Sequence, residues 1–223
     1  MNILNRIFPV FAAVVLPMPV LGQDAAKPAE KATTTLDFDK LDPGTPPEEV
    51  AFVIDGDFEV VEQGENRVLE IAAAPLVESG ALVGANLEGD VEISAKVLAT
   101  KKGRSYPRFG IGTHGMSGYR LRIVPARKVI ELVYREASVV DVPFAWESDK
   151  WVHLKLSVTR GEGDEWMISG KAWPEGEKEP AEATLERKDE ELRGKGKSSI
   201  WGTPYSGTVI SFDDVVVSGT PAP

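Results

Sequence analysis

Basic side chains concentrate in residues 100–137, where they could bind an anionic or hydroxyl-rich ligand. This segment holds nine Lys or Arg against two Glu, a balance of +7, within a chain whose net charge is −10. Side chains two apart along a strand point to the same side of a sheet. That rule predicts one outward face carrying Arg108, His114, Arg120, Arg122, Glu131 and Arg135. If the later strands are neighbours of these, the same face also receives His153, Lys155, Lys171 and Trp173.

Guanidinium groups bind carboxylates, sulfates and hydroxyls through several N–H donors, and an indole ring can stack on a sugar. The basic face therefore predicts a groove for a polar or anionic glycan. The alternative interpretation is a solvated strand face whose charges are balanced by acids on adjacent strands. The opposite side of these strands is predicted to enter the core through Phe109, Ile111, Leu121, Ile123, Ile130 and Leu132.

A second candidate is a carboxylate triplet, Glu88, Asp90 and Glu92, which fits the E-x-D-x-E pattern of family 16 glycoside hydrolases. Retaining hydrolysis needs two carboxyl groups about 5 Å apart, one as nucleophile and one as acid and base. Residues 88–90 have the composition of a turn, which would take Glu88 away from the face of Glu92. Catalysis at the triplet is therefore kept only as an alternative to ligand binding.

The five Trp residues could also stack on sugars, although packing in a core is their commoner role. Trp166 shares a face with Ile168 and is predicted to be buried. Trp173 and Trp201 lie beside Pro or Gly, which predicts that both are exposed and available to a ligand.

Strands must position these residues, because short alternating segments separated by Gly and Pro turns recur from residue 51 onward. Residues 81–87 and 91–99 are predicted to be two strands separated by the turn at 88–90. In residues 151–158, Leu154 and Leu156 share the apolar side, and His153 lies on the other. The pattern predicts an all-β sandwich or barrel, and of these we expect the two-sheet antiparallel β-sandwich.

The composition excludes several kinds of site. The chain has no Cys, which excludes disulfides, thiol catalysis and cysteine-ligated zinc, and its two His exclude a His-rich metal site. The net charge of −10 argues against nonspecific nucleic-acid binding, because that binding needs a basic field.

The N-terminus has the pattern of an export signal. Residues 1–6 carry one positive charge, and residues 7–21 are almost wholly apolar before a small-residue site near Gln23. The run is short and contains Pro, which argues against a retained membrane anchor, the alternative interpretation. We predict a signal peptide at 1–22, a flexible linker at 23–32, a β-sandwich domain at 33–218 and a disordered tail at 219–223. The processed protein is predicted to be secreted or periplasmic, with no membrane span.

Several short motifs follow one another in residues 33–218: GYRL at 118–121, FAW at 144–146, WVHL at 151–154, KAWPEGEKEP at 171–180, IWG at 200–202 and FDDVVV at 212–217. This order resembles the concanavalin A-like lectin/glucanase superfamily, especially laminin G-like and 3-keto-disaccharide hydrolase-like domains of secreted bacterial proteins. The resemblance implies a jelly roll whose concave sheet often meets carbohydrate.

The same resemblance implies a structural Ca²⁺. In several domains of that superfamily an aspartate of the last strand pairs with acids near the first strand, and the matching residues are Asp37, Asp39 and Asp213. Carbonyl groups and water would have to complete the roughly six to eight oxygen ligands of Ca²⁺.

The leading hypothesis is a secreted, noncatalytic module that binds a glycan or another polar extracellular ligand. One alternative is a glycoside hydrolase-like enzyme acting on polysaccharide. The other is a structural or interaction domain without a sugar ligand, because a fold by itself does not fix a function.

Overall fold

The computed structural model describes residues 31–163, 165–192 and 194–222 of the chain. These residues form antiparallel strands, and their helical structure is confined to the 3₁₀ turn Phe38–Lys40. Within the same residues no helix is long and apolar enough to cross a bilayer. The predicted signal peptide and the predicted linker up to residue 30 lie outside the described residues. Ala32, at the end of the predicted linker, already begins the first strand.

The first sheet presents the basic segment. Its strands, from one edge to the other, are β2 (Ala51–Asp55), the first part of β5 (Ser79–Ala99), β13 (Lys195–Thr203), β6 (Arg108–Gly112), β7 (Arg120–Val124), β8 (Val129–Tyr134) and β9 (Ala137–Pro143). All of these pairings are antiparallel.

The second sheet contains the remaining strands. They are β1 (Ala32–Leu36), β3 (Phe58–Gln63), β4 (Asn66–Ile71), β10 (Val152–Arg160), β11 (Trp166–Pro174), β12 (Leu185–Asp189) and β14 (Ile210–Pro221), together with the second part of β5. In this sheet β14 pairs with β1, β4 and β5, and β5 pairs with β10.

The strand β5 belongs to both sheets. Glu88 pairs with Lys195 of β13 in the first sheet, whereas Glu92 pairs with Ser157 of β10 in the second. The sequence predicted two strands and a turn here, and that prediction is wrong. Gly89 has a positive φ of 71°, and its N–H donates to Gly194 O at 2.9 Å, so it bends the strand without ending it.

The two sheets enclose one apolar core, as the alternation predicted. Phe109, Ile111, Leu121, Ile123, Ile130 and Leu132 are all buried, as are Leu154, Leu156 and Trp166 on the facing sheet. The layers are in direct contact: a Cβ added to Gly170 of β11 would lie 2.6 Å from Leu121 Cδ1 of β7. The predicted two-sheet antiparallel β-sandwich is confirmed.

The chain remains ordered in the sheet beyond the predicted domain end. β14 continues to Pro221, which pairs with Leu87 of β5. The prediction of a disordered tail from residue 219 is therefore wrong for residues 219–221, because their backbone groups join the sheet.

Candidate functional site

One row of residues crosses the outer face of the first sheet. Gly110 of β6 lies opposite Trp201 of β13 on one side and Arg122 of β7 on the other. Arg122 in turn lies opposite Glu131 of β8. Directly opposed residues on adjacent strands project to the same side, so the row carries an indole, a gap at Gly110, a guanidinium and a carboxylate side by side.

Trp201 and Arg120 lie flat on this face because glycines leave room for them. A Cβ on Gly80 of β5 would lie 2.4 Å from the indole Cζ3, and a Cβ on Gly112 would lie 3.3 Å from Arg120 Cγ. The guanidinium carbon of Arg120 lies 3.5 Å from the indole centroid, a cation–π contact. The indole Nε1 donates to Ser199 Oγ at 2.7 Å, which fixes the orientation of the ring.

Arg120 is buried yet incompletely paired. The residue is 5 % exposed, its Nη2 donates to the exposed Glu136 at 3.1 Å, and its Nη1 has no hydrogen-bond acceptor. Burial lowers the pKa of Arg120, and the carboxylates of Glu136 and Glu78 oppose that shift. A guanidinium stays charged at neutral pH, so a buried positive group with a free donor faces this surface.

Arg122 is held by a saturated ion network. Its Nε and Nη2 lie 2.8 Å and 2.7 Å from Glu131 Oε1, and Arg127 Nη1 lies 2.9 Å from Glu131 Oε2. Arg127 Nη2 continues the network to Asp141 at 3.0 Å. Glu131 is 1 % exposed. Because both of its oxygens are engaged, Glu131 positions Arg122 rather than offering a free acceptor.

Arg108 supplies a third guanidinium. It stacks on the ring of Tyr205, with 4.7 Å between the guanidinium carbon and the centroid, and its Nη2 donates to the Tyr205 hydroxyl. Its Nε is buried and has no hydrogen-bond partner. Within the described part of the chain no carboxylate forms an ion pair with Arg108, so its charge is not neutralised locally.

These groups surround a small pocket over Gly110. The lining side chains are those of Glu78, Arg108, Arg120, Arg122, Trp201 and Thr203. Glu78 lies at the rim, with its carboxylate oxygens 3.7 Å from Arg120 Nη1 and 3.9 Å from Arg122 Nη1. The pocket is therefore lined by planar guanidinium groups, one of which covers the Trp201 ring.

Four of the predicted face residues meet here, and the others do not. Arg108, Arg120, Arg122 and Glu131 share the outer face, as alternation predicted. His114 instead has a φ of 57° after β6, and its buried ring turns toward Gly89 O and Trp166. Arg135, with a φ of 49°, is exposed in the turn after β8, so alternation no longer applies to it.

His153, Lys171 and Trp173 lie on the outer face of the second sheet, so their predicted place beside the arginines is wrong. Their strands pair with β5 and with each other, not with β6, β7 or β8. His153 stacks on Trp173 with 4.9 Å between the ring centroids. Trp173 and Trp201 are both buried, contrary to the prediction of exposure, because flat cationic or imidazole groups cover them.

The second outer face is balanced by acids. Lys155 and Lys171 both contact Glu179, at 2.8 Å and 2.9 Å, and His153 Nε2 contacts Glu175. Hydrogen bonds from the two lysines lower the pKa of Glu179. On this face the charges of adjacent strands balance each other, which is the alternative interpretation given for the basic residues.

The carboxylate triplet makes separate contacts. Asp90 accepts a hydrogen bond from the Arg160 N–H at 2.8 Å, and Glu92 accepts one from Ser157 at 2.9 Å. Glu88 lines a different, open pocket at the end of the sandwich. Because β5 bends at Gly89 and the three side chains make these separate contacts, the motif does not form a face of paired carboxylates with a shared cleft.

The residues proposed for Ca²⁺ do not fit that ion. Asp37 pairs with Lys40 at 2.8 Å, Asp39 accepts the Arg67 N–H at 2.7 Å, and Asp213 accepts Asn66 Nδ2 at 2.8 Å. Among the described residues, no group of three or more His, Asp or Glu side chains is arranged to hold a metal. The predicted three-carboxylate site is therefore not formed by these side chains.

The sequence analysis missed Glu78 and Thr203, which line the pocket, and Tyr205, which stacks on Arg108. Glu78 precedes β5 and Tyr205 follows β13, so neither lies on an alternating strand segment. Thr203 is two residues after Trp201 on β13, and alternation alone could have placed it on the face of Trp201.

Comparison with known proteins identifies the fold. No family model and no curated protein matches the chain. Among solved structures, carbohydrate-binding module CBM66 from Bacillus subtilis is 13 % identical, with a TM-score of 0.51 over 74 % of this chain and 92 % of that one. Lectin UEA-II complexed with galactose is 11 % identical, with a TM-score of 0.51 over 86 % of this chain and 99 % of that one. A sialidase is 12 % identical with a TM-score of 0.53, over 85 % of this chain but only 18 % of that one.

These similarities agree with the observed sheets. The chain has a jelly-roll β-sandwich fold, as the sequence motifs predicted. At 11 to 13 % identity the similarity concerns the fold and not the site.

Proposed function

We propose that this protein is a noncatalytic carbohydrate-binding module whose ligand lies over Gly110 on the outer face of the first sheet. The observation that carries the proposal is a pair of buried donors without partners, Arg108 Nε and Arg120 Nη1, in one pocket beside Trp201. A buried donor without an acceptor costs about 1–3 kcal/mol, and more when it is charged. Two such donors on side chains that line one pocket are suited to the oxygen atoms of a ligand.

The donor groups of the site favour a saccharide. Planar guanidinium groups bind pairs of oxygen atoms, and the stacked aromatic rings limit the motion of the donors. The fold supports the same proposal, since two of the similar structures are a carbohydrate-binding module and a lectin.

The absence of catalysis is part of the proposal. Glycoside hydrolysis uses two carboxyl groups that flank the bond to be cleaved. In this pocket Glu131 is saturated by two arginines, and Glu78 lies at the rim facing guanidinium groups. This arrangement is suited to holding a ligand, and it offers no free acid and base on opposite sides of one.

Binding can be tested with a panel of oligosaccharides by isothermal titration calorimetry. We expect Arg108→Gln to weaken binding at least about tenfold, which corresponds to the loss of one good charge-assisted hydrogen bond. Arg104→Gln is the matched control, because it removes the same charge from an exposed residue outside the pocket lining. Failure of the folded wild type to bind any saccharide, or equal loss in both variants, would contradict the proposal. Release of new reducing ends or unsaturated products from the panel would contradict the noncatalytic part.

We also propose that the chain is exported. The apolar run before Gln23 supports cleavage after residue 22 and a secreted or periplasmic location. Mass spectrometry of the protein recovered from an expressing bacterium should show a chain that begins near Gln23. Recovery of the intact chain in the membrane fraction would instead favour a retained anchor.

A further inference from the structure

The pocket over Gly110 is balanced in charge only with the help of Glu78, a loosely held carboxylate at its rim. Three guanidinium groups line it, from Arg108, Arg120 and Arg122. Glu131 neutralises Arg122, and the largely exposed Glu136 takes one nitrogen of Arg120, but Arg108 has only a hydroxyl partner. With Glu78 at the rim, three carboxylates balance the three guanidinium groups. If Glu78 leaves, one guanidinium charge lacks a counterion, which favours an anionic ligand in its place.

Glu78 completes this balance without a hydrogen bond to either arginine. One of its oxygens lies 3.7 Å from Arg120 Nη1 and the other lies 3.9 Å from Arg122 Nη1, both too far for hydrogen bonds. Glu78 stands just before β5, next to a loop in which Leu76 is 83 % exposed and has a φ of 72°. A carboxylate that is half-exposed and loosely held can leave the rim at low cost.

We infer that the saccharide bound at this site is acidic, and that the side chain of Glu78 takes the place of its anionic group when the site is free. This inference rests on the proposed function. The acid group of the ligand lies above Gly110, where its oxygens accept hydrogen bonds from Arg108 Nε and Arg120 Nη1. These are the two donors that Glu78 does not reach.

The proposed role of Glu78 can be tested by whether its replacement strengthens or weakens ligand binding. If Glu78 competes with an anionic ligand, Glu78→Gln removes the competing charge and strengthens binding. If Glu78 instead accepted hydrogen bonds from hydroxyls of a neutral sugar, the same substitution would weaken binding. Glu177→Gln is the matched control, since it removes an exposed carboxylate from the turn after β11.

The experiment compares acidic and neutral oligosaccharides by calorimetry at about 20 mM and about 300 mM sodium chloride. The acidic probes are oligogalacturonate, oligomannuronate and a sulfated oligosaccharide, and the neutral probes are methyl-esterified oligogalacturonate and a neutral glucan. We expect at least one acidic probe to bind about tenfold more tightly than every neutral one, with an affinity that falls at high salt. Glu78→Gln should raise that affinity about threefold or more, and Glu177→Gln should leave it unchanged.

The outcomes separate this inference from the proposed function. Binding of neutral probes as tightly as acidic ones would overturn the acidic ligand and leave carbohydrate binding intact. Weaker binding of the acidic probe to Glu78→Gln would overturn the role of Glu78. No binding of any probe would overturn the proposed function itself. Preference for a uronate or for the sulfated probe identifies which anionic group the pocket takes, and either supports the inference.

Discussion

Replacement of Glu131 by Gln tests the ion network that holds the candidate site. The carboxylate is 1 % exposed and accepts hydrogen bonds from Arg122 Nε at 2.8 Å and from Arg127 Nη1 at 2.9 Å, and it also lies 2.7 Å from Arg122 Nη2 in an ion pair. Removing one partner of a buried ion pair costs about 3–5 kcal/mol, because the other charge stays buried and unpaired. Arg122 keeps slight exposure and a distant carboxylate, Glu78, at 3.9 Å, so we expect about 3 kcal/mol.

Equilibrium unfolding in urea measures this loss. With a denaturant slope of about 2.5 kcal/mol per molar urea, Glu131→Gln should lower the unfolding midpoint by about 1.2 M. Asp141→Asn is the control, since it removes only the exposed end of the network and should lower the midpoint by less than about 0.3 M. Combining Glu131→Gln with Arg122→Gln should recover part of the stability, because no buried charge is then left alone. A midpoint for Glu131→Gln no lower than that of Asp141→Asn would refute the assignment of Glu131 as the buried anchor of Arg122.

Three further predictions concern the apolar core, the glycine beneath Trp201 and the dependence of stability on pH. Leu154→Ala should reduce the free energy of unfolding by about 2–5 kcal/mol because Leu154 is fully buried, whereas Leu76→Ala, at 83 % exposed, should change it by less than about 0.5 kcal/mol in the same urea titration. Gly80→Ala should cost about 1–3 kcal/mol and alter the near-ultraviolet circular dichroism, since its Cβ would lie 2.4 Å from the Trp201 ring; an unchanged spectrum would contradict the packing described. Burial lowers the pKa of His114 below its ordinary value of 6.5, so the unfolded chain takes up a proton at higher pH than the folded one, and the free energy of unfolding should fall as the pH drops below about 6.5. Between about pH 7.5 and 5.5 the free energy of unfolding should fall less for His114→Gln than for wild type. Parallel pH dependences of the two proteins would count against burial of that ring.

Local alternation was enough to predict which side chains enter the core and which leave it. Leu121 and Ile123 are buried while Arg120 and Arg122 lie on the outer face, as the period of two requires. The same reasoning failed for His114 and Arg135, where positive φ values turn the chain out of the extended conformation. Side chains alternate between the two faces only within a strand, so alternation cannot place residues in the turn that follows it.

The sequence by itself determined the β class, the sandwich and the basic face, because these depend on residue type and on a repeat of two along each strand. Only the tertiary structure decided which strands became neighbours, and therefore that Trp201 rather than Trp173 lies beside the arginines. It also decided that β5 bends at Gly89 to join both sheets, which separates Glu88 from Glu92. The physical reason is that strand pairing depends on hydrogen bonds between residues far apart in sequence, and local composition does not specify that register.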